Sequence, residues 1–141
     1  MSCVPPTSTL LILADASREI GVGHAMRMLA LGQAWARSGG RVVFLGELPD
    51  ALAERLRAEA FTVCRDFAAG RSAESVAGLA QREKAAWVAL DGYTFSAPFT
   101  ARLRSAGLCV LQMDDAGHQA EYAVDVLVNQ NPGAEALAYA V

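Results

Sequence analysis

An open α/β fold, a Rossmann-like parallel sheet with helices on both faces, is predicted for these 141 residues. Three observations predict it. Apolar runs alternate with segments of helical period along most of the chain. The apolar runs are continuous, as strands covered on both faces are, and do not alternate with polar residues. Polar residues follow four of the runs, at the strand ends where ligands bind in open α/β sheets.

Each element has its own signature. "TLLILAD" (9–15) reads as a buried strand. Residues 24–38 read as a helix, with Met28, Leu31 and Trp35 at three- and four-residue steps, stopped by Gly39 and Gly40. "RVVFLG" (41–46) is a second strand, and residues 49–60 a helix with Pro49 at its start. "FTVCRD" (61–66) is a third strand, residues 72–84 a helix, and "AAWVALD" (85–91) a fourth strand. Residues 96–107 form a helix with Ser96 as its N-cap. "LCVLQMDD" (108–115) and "YAVDVLVNQN" (122–131) complete the set as strands five and six, and "GAEALAYAV" follows without a clear helix. Trp35 and Trp87 are assigned to the core. The right-handed crossover rule places the first strand centrally, flanked by the second and fourth.

Length and composition narrow the function. The chain has one domain's worth of residues, 1–141, and 53% hydrophobic against 19% charged residues argues against disorder. A net charge of -3 without any cluster of lysine or arginine argues against nucleic acid and anionic membranes as partners. No apolar run approaches the roughly 20 residues of a membrane span. No basic segment precedes the first apolar run, so no signal peptide is expected, and cytoplasm is the expected location. Cys3, Cys64 and Cys109 are too widely spaced for a metal pair or a disulfide framework.

The polar strand ends are Asp15; Asp91, Gly92 and Tyr93; Asp114 and Asp115; and Asn129, Gln130 and Asn131. Together they predict a cleft along that edge of the sheet. Asp114 and Asp115 are adjacent strand residues and point to opposite faces, which argues against a shared metal. His118 reads as an exposed loop residue.

The loop before the first helix carries Gly21 and Gly23. It is not a dinucleotide fingerprint: Met26 replaces the third glycine, the loop is long, and His24 crowds the phosphate position, although Glu47 would suit a ribose. It is not a phosphate-binding P-loop either, because no Gly-Lys-Ser/Thr follows. No nicotinamide or flavin cofactor is therefore expected. Glycines let backbone approach a ligand closely. His24, in the first helical turn, faces the positive end of the helix dipole, and a neutral imidazole there suits a general base. Arg27, three residues on, shares that face and suits an anionic group or a loop carboxylate such as Asp15. A helix-capping His24 and a solvated Arg27 fit the same spacing equally well.

"DASREIGVGHAMRMLAL" resembles the opening of the UDP-sugar hydrolases of pseudaminic acid biosynthesis, which are similar to the spore-coat polysaccharide proteins. The pattern is an aspartate after strand one, then G-x-G-H-x-x-R. "LDGYTF" (90–95) and "DVLVNQNPGAE" (125–135) resemble two further segments of that family, in order along the chain. The resemblance implies the N-terminal lobe of a two-domain GT-B-type fold, related to the N-acetylglucosaminyltransferase of peptidoglycan synthesis. It implies metal-free, inverting hydrolysis of UDP-2,4-diacetamido-2,4,6-trideoxy-β-L-altropyranose to UDP and the free sugar. By motif match His24 activates water, Tyr93 sits beside the sugar, and Asn129 and Asn131 line the cleft; Asp15, Gly21, Gly23 and Arg27 complete the substrate-binding set. The family's second domain, which holds most of the nucleotide site, is expected to lie outside these residues, so a second lobe or partner domain is the expected partner beside the UDP-sugar. A glycosyltransferase lobe with the same histidine, and a non-catalytic sugar-nucleotide-binding domain, are the alternatives.

Overall fold

The structure, a computed structural model, describes residues 8–14, 23–65, 72–92, 94–115, 117 and 119–141. Six strands form one sheet: β1 (Thr9–Ala14), β2 (Arg41–Leu45), β3 (Thr62–Cys64), β4 (Ala85–Asp91), β5 (Cys109–Met113) and β6 (Val126–Val128). Between them lie α1 (Gly23–Arg37), α2 (Asp50–Ala58), α3 (Ala73–Glu83) and α4 (Ala97–Ser105). The strand order is β3-β2-β1-β4-β5-β6, and all five pairings are parallel. This is the doubly wound order, with its switch point between β1 and β4. β1 lies centrally between β2 and β4, as the crossover rule requires.

The sheet carries an apolar layer on each face because successive side chains point to opposite sides. Leu11, Leu13, Val43, Leu45, Val88, Leu90 and Val110 pack with α3 and α4 through Val76, Leu79 and Leu103. Leu10, Ile12, Val42, Phe44 and Ala89 pack on the other face with α1 and α2 through Met28, Leu29, Leu52 and Leu56. Both faces being buried explains why the strands read as unbroken apolar runs.

The buried stripe of α1 is Ala25, Met28, Leu29 and Gly32. A side chain at Gly32 would meet the Phe61 ring at 2.9 Å, so the glycine lets the helix lie close. Trp35 and Trp87 are half-buried against this layer, and the Trp35 indole donates to the Ser8 carbonyl at 3.0 Å. Gly39, with φ 92°, stops α1 as expected. Ser96 caps α4, accepting from the Phe99 amide at 3.4 Å, and Ser72 caps α3, accepting from the Ser75 amide at 3.1 Å.

The sixth strand is shorter than its expected 122–131 span. Tyr122 donates its backbone N–H to the Ala140 carbonyl, outside the sheet, at 2.8 Å. At the other end the Asn129 side chain accepts from the Asn131 amide at 3.0 Å, a local turn that competes with the ladder. Three residues remain to pair with β5. Ala134–Ala136 form one turn of 3-10 helix beyond it. No helix among the described residues is long and apolar enough to cross a membrane.

Candidate active site

Residues 87, 89 and 91 of β4 share the sheet face under α1, and Asp91 is the last of them. It is fully buried and lies at the carboxyl end of the switch-point strand. Gly92, at φ 155°, turns the backbone away immediately after it. The first turn of α1 stands over this point and presents His24 and Arg27 to the same carboxylate.

His24 Nδ1 lies 2.6 Å from Asp91 Oδ1. Arg27 donates through both Nε and Nη2 to the two oxygens of Asp91. Its Nη1 donates to Asp115 Oδ1 at 2.6 Å, so one guanidinium bridges the ends of β4 and β5. The hydrogen bonds to Asp91, opposed in part by burial and reinforced by Asp115, push the guanidinium pKa upward and keep it charged. A buried carboxylate needs such a partner. The ionised Asp91 can only accept, so Nδ1 carries the proton and the basic lone pair of the ring is on Nε2. This is the geometry in which an acid orients a histidine for base catalysis.

A small depression is lined by His24, Arg27, Asp91, Gly92, Met113, Asp114 and Asp115. Its lining holds one guanidinium against three carboxylates; with the Asp114 carboxylate turned to Tyr122 and Tyr139, the cluster around Arg27 is one guanidinium against Asp91 and Asp115, one net negative charge when the imidazole is neutral. Such a balance repels a diphosphate and tolerates an uncharged sugar or a developing positive charge.

Asp114 takes the opposite side of the sheet, as strand alternation requires. Its carboxylate accepts from the Tyr122 hydroxyl at 3.0 Å, the Tyr139 hydroxyl at 2.7 Å and the Gly117 amide at 2.6 Å. Burial first, and then the Asp114 carboxylate, push the Tyr122 phenol up to about 12; the same two causes raise Tyr139. Asn129 donates to the Tyr139 hydroxyl at 2.8 Å and to the Asp115 carbonyl at 3.4 Å. Asn131 reaches the Asp115 carboxylate at 3.3 Å.

His24, Arg27 and Asn131 are thus gathered around Asp91 and Asp115, with Asn129 beside them. Gly23 opens α1, and a Cβ there would meet nothing within 4 Å. Of the two uses that spacing allows Arg27, carboxylate pairing is the one observed, and the partners are Asp91 and Asp115. Asp15, Gly21, Tyr93 and His118 lie outside the described residues. Asp91 was legible only as a polar strand end; the signal for its partners is the alternation 87, 89, 91 under the α1 stripe. Tyr122 was read only as the start of the sixth strand and Tyr139 lies in a segment with no clear element, so neither position signals a hydroxyl on Asp114.

The fold and this crevice define a Rossmann-like lobe of the GT-B type, with an acid-oriented histidine at the topological switch point. The chain is similar to MurG of Acinetobacter baumannii, with a TM-score of 0.63 and 15% identity over 96% of its residues. It spans 44% of the length of MurG. No family model and no curated protein matches the sequence.

Proposed function

We propose that this chain is the water-activating lobe of an inverting UDP-sugar hydrolase. The substrate is UDP-2,4-diacetamido-2,4,6-trideoxy-β-L-altropyranose, and the products are UDP and the free sugar, on the route to pseudaminic acid, a nonulosonate. The observation that carries the proposal is the His24–Asp91 pair, 2.6 Å apart in the lining of the small depression. The motif resemblance supplies the substrate class.

His24 Nε2 takes a proton from a water molecule, and the water oxygen attacks the anomeric carbon on the face opposite UDP. The bond from that carbon to the phosphate oxygen breaks, and UDP leaves with the electron pair. The net negative cluster stabilises positive charge that builds on the sugar. The same balance disfavours the diphosphate at this spot, so the nucleotide is held by a second lobe. Asn129 and Asn131 border the sugar, and Tyr93, Asp15 and Gly21 complete the site by motif match.

The likeness to MurG favours one second reading, in which an acceptor hydroxyl replaces water. Product analysis with the UDP-sugar, in the two-lobed enzyme and with or without acceptor, separates the two. Free sugar formed without acceptor, and lost in His24→Asn, supports the hydrolase. Product that requires an acceptor overturns it in favour of a transferase. Turnover indifferent to His24 removes both.

A further inference from the structure

Asp91 is fully buried, and one of its oxygens accepts from both His24 Nδ1 and Arg27 Nη2. Arg27 Nη2 also lies 3.4 Å from Nδ1 itself. The guanidinium is therefore in contact with the acid and beside the base, and Asp115 holds its far edge. A guanidinium that already spans two carboxylates has little donor capacity left for a ligand. We propose that Arg27 is a positioning residue for His24: it supplies the counter-charge that keeps Asp91 ionised, so that His24 stays neutral with its proton on Nδ1.

The reasoning follows from charge. Without Arg27, the buried carboxylate needs another cation, and among the described residues the one in contact with it that can become a cation is His24. The imidazolium would pair with Asp91, and Nε2 would lose the lone pair that accepts a proton. Among the described residues, the charged groups facing the ring are Arg27 on its own helix, Asp91 from β4 and Asp115 after β5; Asp114 lines the depression but its carboxylate is spent on Tyr122 and Tyr139. Lysine in place of Arg27 would restore charge but could not bridge both carboxylates in a fixed fork.

The inference rests on His24 as the base, yet its test reads the ring without turnover. Ring ¹⁵N and ¹H signals of the 141-residue chain are followed by NMR from acid to alkaline pH. The chain has two histidines, and the signals lost in His24→Asn identify this one. The parent is expected to show the Nδ1–H tautomer at neutral pH. Arg27→Met is expected to raise the titration midpoint of His24 by about one pH unit or more. Arg27→Lys should return it part of the way. Asp115→Asn removes a negative charge near the ring and should lower the midpoint, which gives the size of the response to one charge. If Arg27→Met fails to fold, Arg27→Lys carries the test, with a midpoint expected above that of the parent. An unchanged midpoint in the folded variants, or an Nε2–H tautomer in the parent, overturns the role of Arg27. Shifted midpoints with hydrolysis indifferent to His24 would instead uphold that role and overturn the reading of His24 as base.

Discussion

Asp114 and Asp115 are consecutive residues after the same strand, yet they build opposite chemistry. Asp115 turns to the α1 side and shares a guanidinium with Asp91 in a partly exposed ionic cluster beside a histidine. Asp114 turns to the α3 and α4 side and is buried among two tyrosine hydroxyls and a backbone amide. Two neutral phenols and an amide satisfy a carboxylate without offering any group that titrates near neutral pH. The ionic side is where protons can move; the phenolic side anchors Tyr139 and, through it, Asn129. One backbone step decides which role an aspartate receives.

The largest expected effect falls on the ionic side. In the two-lobed enzyme His24→Asn should lower turnover by about 10²- to 10⁴-fold while ligand binding changes little. Turnover close to the parent would reduce His24 to a helix cap and dissolve the contrast between the two sides. Asp91→Asn should also cost turnover, by about 10²-fold or more, because a carboxamide can donate as well as accept and no longer fixes the Nδ1–H tautomer. It should cost stability as well, on the order of 3 kcal/mol, since a buried ion pair is broken from one side. Denaturant titration with and without the substitution checks this, and an unaltered midpoint would mean that Asp91 is not the partner of Arg27.

On the phenolic side the expected losses are in stability. Asp114→Asn weakens hydrogen bonds to a charged acceptor and should destabilise by about 1.5–3 kcal/mol. Turnover per folded molecule should fall less than in Asp91→Asn; an equal or greater fall would place Asp114 in the chemistry and erase the distinction.

The smallest effect is a pH dependence. Tyr122 holds its proton up to about 12 in the folded chain, through burial and the Asp114 carboxylate, against about 10 when unfolded. The folded state therefore binds the proton more tightly. The stabilisation is fully present below pH about 10 and is lost as pH rises through the folded value. Thermal melts across that alkaline window should slope downward in the parent, and the slope should lessen in Tyr122→Phe. Parallel parent and variant curves would show that folding does not raise this phenol.

Much of the architecture was legible beforehand. Unbroken apolar runs such as 9–14 and 85–90 alternate with helical segments, the pattern of strands covered twice; of the α1 stripe read as Met28, Leu31 and Trp35, Met28 is buried and the other two are half-buried, while Ala25, Leu29 and Gly32 complete the buried face. The glycine signal at 39 and the serine signal at 96 act locally, so the helix ends they mark were readable too, whereas the cap by Ser72 was not read. His24 and Arg27 were visible as a pair because three residues along a helix is one face. Their partner was not, because Asp91 lies 67 residues from His24 and meets it only after β1 and β4 pair. The extent of β6 escaped as well, since Tyr122 and Asn129 choose partners that lie outside the ladder.

The sequence by itself determined the alternation of strand and helix, the central place of β1, the polar edge of the sheet and a histidine in the first turn of α1. Those features follow from period, caps and handedness, which are local. Only the tertiary structure decided that Asp91 orients His24, that Arg27 spans Asp91 and Asp115, and that Asp114 is given to the tyrosines. A strand residue's face has meaning only once the neighbouring strands and the covering helix are in place, and charge pairing depends on distances that no spacing along the chain encodes.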